Sequence, residues 1–202
     1  MKKLLLICTL VLSFANLGHA QGLFSKICLD KYSVEDSVRV IQSCERIMCM
    51  KSYTIFYSLK CVKKDSEVWR LELKVTGKHA MKISKGRKFL LKFQDGSIME
   101  LENIREIGAA DYDYHTSNYG TTYSVYPSYP LSEDELKKII DGGVVKVRLE
   151  NNVETIDMEL VKARTKQVSR ELNQLYTEIK KIAQVEKKIT DDFLISSSGT
   201  LL

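Results

Sequence analysis

No apolar run in this chain approaches the roughly 20 residues that a membrane-spanning helix needs. Histidine is scarce, with three in 202 residues. There is no phosphate-cradling glycine-rich loop opening a helix, no His-Glu-x-x-His and no Gly-x-Ser-x-Gly. A hydrolase would have to assemble its site from scattered residues. Charge is equally uninformative: the formal net charge of +5 includes Lys2 and Lys3 of the N-terminal segment. No clustered basic stripe of the kind that binds nucleic acid is present, so nucleic acid is not an expected partner. No internal repeat occurs.

What is present begins with residues 1–20. Lys2 and Lys3 precede an apolar run from Leu4 to Leu12, and Gly18-His19-Ala20 places small residues three and one before a cut. This pattern predicts a cleaved signal peptide and a periplasmic or secreted bacterial protein without a transmembrane segment. Lipidation is not expected. Cys8 has too little chain before it, and Lys26 spoils the small-residue pattern ahead of Cys28. The remaining chain suits one domain of about 100 to 200 residues.

Cys28, Cys44, Cys49 and Cys61 remain after cleavage. Four cysteines in an exported chain predict two disulfides, with three connectivities open. Free thiols and zinc are the alternatives. Cys44 and Cys49 have a permissible ligand spacing, but the other two lie far off in sequence. No cofactor or metal is assigned.

Residues 21–50 read as a helical lead-in. Val34, Val38, Ile41, Glu45 and Met48 recur at steps of three and four, and Ser33 with Asp36 resembles a capping box, predicting a helix from Val34 to Arg46. Residues 51–160 read as an antiparallel β domain. Tyr53 to Val62 alternates, and Trp69, Leu71, Leu73 and Val75 alternate with Arg70, Glu72, Lys74 and Thr76, as one dry and one wet face require. A short run follows from His79 to Ile83, where His79 shares the inward parity of Met81 and Ile83. Asp95-Gly96 predicts a two-residue hairpin turn at the centre of the sheet. That register sets Leu91 against Glu100 and Phe89 against Glu102, a conflict pointing to a bulge or to two exposed faces. A further strand is expected over residues 103–110.

Six of the ten tyrosines lie between Asp111 and Pro130, interleaved with Asp111, Asp113, Asn118 and Gly120 and closed by both prolines. The segment predicts a long loop or excursion at the sheet edge, although tyrosine is also a good edge-strand residue. Ser132 caps a short helix with Glu133, Asp134 and Glu135 in its first turn and Gly142-Gly143 after it. Val144 to Glu150 and Val153 to Leu160 form a last hairpin. A helix from residue 161 to 190 carries a broad apolar face built on Val168, Leu172, Leu175, Ile179 and Ile182. That breadth favours docking on the body over a pairing of two chains. Residues 191–202 read as a loose tail.

The order of elements defines an α+β fold class, mainly antiparallel β-sheet (sheet or sandwich) with a short N-terminal helix, a short inserted helix and a long C-terminal helix. Gly86 to Asp95 (GRKFLLKFQD), Tyr126 to Ser132 (YPSYPLS) and Val144 to Leu149 (VVKVRL) together resemble an arrangement in small exported β-rich bacterial proteins. The resemblance spans about residues 52 to 150. It implies an extracytoplasmic β-rich domain and brings no site residues.

Tyrosine offers a flat ring and a hydroxyl at low entropic cost, so Tyr112, Tyr114, His115, Tyr119, Tyr123 and Tyr126 are the candidate binding residues, for a protein or glycan. Asp111, Asp113 and Asn118 lack the fixed spacing of an EF-hand loop. The leading reading is an exported, non-enzymatic binding domain. An envelope assembly protein that self-associates through its C-terminal helix is the alternative, and a hydrolase with a scattered site near His115 ranks below both.

Overall fold

The computed structural model describes residues 26–33, 35–106, 113–117 and 120–198, with Ser117 and residues 184–198 as backbone only. The expected signal peptide 1–20, Cys8, Asp111, Tyr112, Asn118 and Tyr119 lie outside the described residues. The described chain is mostly antiparallel β-sheet with two helices.

The first sheet is built on two long strands, β4 (Thr54–Lys63) and β5 (Glu67–Gly77), paired in register from Thr54↔Thr76 to Lys63↔Glu67. Their alternation is the cause: Ile55, Tyr57, Leu59, Cys61, Trp69, Leu71, Leu73 and Val75 are all buried on one face. Beyond β4 lie β2 (Val38–Ser43) and β3 (Arg46–Met50), end to end, with β1 (Ile27–Ser33) outside β2. The second sheet has the order β12-β11-β6-β7, from β6 (Lys88–Phe93), β7 (Ile98–Glu102), β11 (Val144–Glu150) and β12 (Thr155–Glu159). Its inner face carries Phe89, Leu91, Met99, Leu101, Val147, Leu149, Ile156 and Met158, and both sheets curl around one core. The buried Cys49 thiol donates to the Met158 sulfur at 3.1 Å, joining β3 to β12.

Helix α1 (Glu133–Gly142) starts as its sequence predicts, with a full capping box between Ser132 and Glu135. Helix α2 (Lys162–Ser198) is docked on the body. Val168, Leu172, Leu175, Ile179 and Ala183 are buried, and the Trp69 and Tyr176 rings lie 5.3 Å apart. The Tyr57 hydroxyl donates to Glu171 at 2.9 Å and the Lys63 ammonium to the Ala183 carbonyl at 2.9 Å, so polar pins flank the apolar seam. Among the described residues no helix is long and apolar enough to cross a membrane.

Several expectations are corrected. Ile27–Ser33 and Val38–Ser43 pair as the strands β1 and β2 rather than forming a helical lead-in. The Ser33 hydroxyl does meet Asp36, at 3.3 Å, but across a turn in which Ser37 has φ of 51°. The helical spacing there loses to pairing with β4, which buries Ile41 against Cys61. The β6–β7 hairpin turns through three residues, Gln94-Asp95-Gly96, with Gly96 at φ +85°. Phe93 N–H donates to the Ser97 carbonyl, and the one-residue shift sets Leu91 against Met99 and Phe89 against Leu101. The extra residue sits in the turn, so both arms keep one apolar face.

Residues 78–87 are irregular; Met81 and Ile83 are buried but His79 is exposed. No strand forms over the described residues 103–106. Helix α2 continues to Ser198, through most of the expected tail. Of the two expected disulfides, Cys28–Cys44 is formed, whereas Cys49 and Cys61 are free and buried. Cys44 is therefore committed to a cystine and not to a zinc site.

Candidate functional site

Between Asn103 and Ser128 the chain leaves the core and returns. The base of this excursion is closed by Asn103, which is fully buried. Its amide nitrogen donates to the carbonyls of Ile83, Ser84 and Arg105, and its oxygen accepts from the N–H groups of Arg105 and Ser128. Ile104 N–H donates to the Ser128 carbonyl at 3.0 Å.

The tyrosine-rich segment is a ribbon and not a long loop. Strand β8 (Asp113–Ser117) pairs with β9 (Gly120–Val125) from Asp113↔Ser124 to Ser117↔Gly120. Strand β10 (Ser128–Leu131) then pairs with β5. Only Val125, Ser124 and Tyr123 of β9 pair with β5, at Val75, Thr76 and Gly77, so the rest of the ribbon extends past the sheet. Gly77 fits where a side chain does not. A Cβ there would sit 2.5 Å from the Tyr53 ring, whose hydroxyl is anchored on Glu154.

Directly opposed residues of an antiparallel pair share a face, and faces alternate. Tyr114 and Tyr123 are therefore neighbours on one face. Asp113 with Ser124 and His115 with Thr122 occupy the other. The second face continues the polar side of β5, because the Ser124 and Thr76 hydroxyls meet at 2.9 Å. The candidate residues are thus divided: Tyr114 and Tyr123 come together, His115 looks the opposite way, and Tyr126 sits at the ribbon's root.

At that root the Tyr126 hydroxyl donates to Asp113 at 3.1 Å. Burial, then the Asp113 carboxylate, push the Tyr126 phenol up to about 12, so it stays a donor. Lys74 lies 5.7 Å from the Tyr126 ring centre and 5.9 Å from that of Phe56, and reaches Glu45 at 3.9 Å. The Ser128 hydroxyl holds Glu72 at 3.1 Å and Arg105 donates to the Tyr126 carbonyl at 3.3 Å. A shallow cavity of about 140 Å³ opens here, with Lys60, Glu72, Lys74, Arg105 and Tyr126 in its wall. Lys74, Glu72 and Arg105 were not singled out from the sequence. The signal for the first two was the wet side of β5, whose charges are only half-exposed.

This arrangement supplies rings, hydroxyls and fixed charges. Among the described residues it does not supply a proton relay. His115 is exposed, and among the described residues no side chain hydrogen-bonds its imidazole. The Asp113 carboxylate on the same face is taken by Tyr126. Among the described residues no group of three or more His, Cys, Asp or Glu side chains is placed to hold a metal ion. Neither family models, nor curated proteins, nor solved structures give a match to this chain.

Proposed function

We propose that the protein is an exported, non-enzymatic binding domain whose β8–β9 ribbon contacts a protein or glycan. The observation that carries this reading is Tyr114, 69% exposed on the outer strand β8 and opposed to Tyr123, which pairs with Gly77 at the end of β5. Exposed aromatic side chains of this kind are low-entropy anchors for recognition. β8 is also the edge of its sheet, so its outer backbone is available to pair with a partner strand. The Cys28–Cys44 cystine supports an oxidising compartment.

The test is a Tyr114→Ala/Tyr123→Ala variant in a glycan array and in a cross-linking pull-down. Lost capture with an unchanged thermal transition is the expected result. Capture equal to wild type removes the reading.

A second reading is self-association through α2, whose backbone continues as helix beyond Ala183 to Ser198. Val185, Ile189 and Phe193 lie in that extension. Truncation after Ala183 would lower the mass in light scattering, and an unchanged monomer mass rules this second reading out.

A further inference from the structure

A groove separate from the ribbon runs between α2 and β3. Its larger part, about 450 Å³, is walled by Arg46, Ile47, Phe56, Arg164, Gln167 and Glu171. A second part of about 200 Å³ shares Arg46 and Glu171 and continues to Lys26, Arg170 and Leu175. Four cations therefore border one channel, against two carboxylates in its wall, Glu45 and Glu171, and among the described residues neither acid lies within ion-pair distance of any of the four. Glu171 is held by neutral donors, the Tyr57 hydroxyl at 2.9 Å and the Gln167 amide at 2.8 Å. Glu45 reaches Lys74 at 3.9 Å. Arg164 donates to the neutral Gln167 oxygen at 3.1 Å. Among the described residues, none of Lys26, Arg46, Arg164 and Arg170 forms an ion pair.

Arg46 and Arg164 are also half-buried. Withdrawing a cation from water without a counter-charge is unfavourable, so such a groove gains by admitting an anion. Guanidinium forks match the planar oxygens of carboxylate and phosphate. Arg164 and Arg170 are six residues apart, roughly 9 Å along the helix axis. One small ion does not span that separation, and Ile47, Phe56 and Leu175 give a carbon skeleton somewhere to lie. We propose that this groove binds a small polyanion, carrying two or more carboxylate or phosphate groups on a short skeleton.

Calorimetric titration at constant ionic strength, with citrate and tripolyphosphate as probes, tests the site. Wild-type protein binds at least one of them. Preference for citrate assigns the carboxylate source, and preference for tripolyphosphate the phosphate source. Arg46→Gln/Arg164→Gln weakens binding by about tenfold or more. The exposed Arg170→Gln, which leaves the fold intact by circular dichroism, weakens it less. Glu171→Gln keeps an acceptor for Tyr57 and removes negative charge, so it tightens binding. Lys92→Gln/Lys146→Gln, on the outer face of the second sheet, leaves it unchanged. No binding of either probe, or equal weakening in the Lys92/Lys146 variant, overturns the proposal.

Discussion

The side-chain oxygen of Asn103 accepts the backbone N–H of Ser128 at 3.0 Å, across an excursion of the chain whose described part is the tyrosine ribbon. Every polar atom of that amide is used, in five hydrogen bonds to backbone groups. The contact fixes where the ribbon leaves the body, and so couples packing at the sheet junction to the position of Tyr114 and Tyr123.

Asn103→Asp keeps the acceptor but replaces the donating nitrogen by a second oxygen facing three carbonyls. Buried polar groups left unpaired cost roughly 1–3 kcal/mol each. The expected loss is about 3 kcal/mol in urea unfolding. A loss below about 0.5 kcal/mol, the usual range for an inconsequential surface change, would show that the amide does not hold this junction.

The cystine and the thiols behave oppositely. Cys28–Cys44 closes a loop of sequence separation 16. Its removal by Cys28→Ser/Cys44→Ser costs about 3 kcal/mol, the chain-entropy value for a loop near that length. Burial pushes the Cys49 thiol up to about 12 and the Cys61 thiol up to about 11. A thiol reagent at neutral pH therefore finds no reactive group in the native chain lacking residues 1–20, and two after denaturation. Rapid native labelling of either would contradict the packing of β3 and β4.

Acid acts through the contact between the helices. The Tyr176 hydroxyl, then the Lys180 ammonium, hold the Glu133 carboxyl down to about 2, from an ordinary value of 4.5. Lys180 also binds Glu67 at 2.6 Å, so one ammonium joins α1, α2 and β5. A carboxyl depressed in the folded state contributes stability fully above its unfolded value, and loses it as pH falls toward the folded one. The difference in Tm between wild type and Glu133→Gln should therefore hold from neutral pH down to about 4.5 and close between there and about 2. A difference independent of pH would show that the carboxylate charge contributes nothing.

Local chemistry was legible in the sequence. The Ser132–Glu135 capping box, the alternation of Trp69 to Val75 and the apolar stripe from Val168 to Ile179 each depend on residues a few positions apart, whose spacing fixes which face they occupy. Tertiary structure decided the rest. Pairing with β4 turned a helical spacing at Val38 to Ile41 into strand. A third turn residue moved Glu100 and Glu102 to the wet face. Strand parity divided the tyrosine cluster between two faces, and Arg46 met Arg164 only because α2 docks across β3. Spacing is written along one chain, whereas register and partner are set by turn geometry and by burial against other segments, β4 for Ile41 and α2 for Arg46.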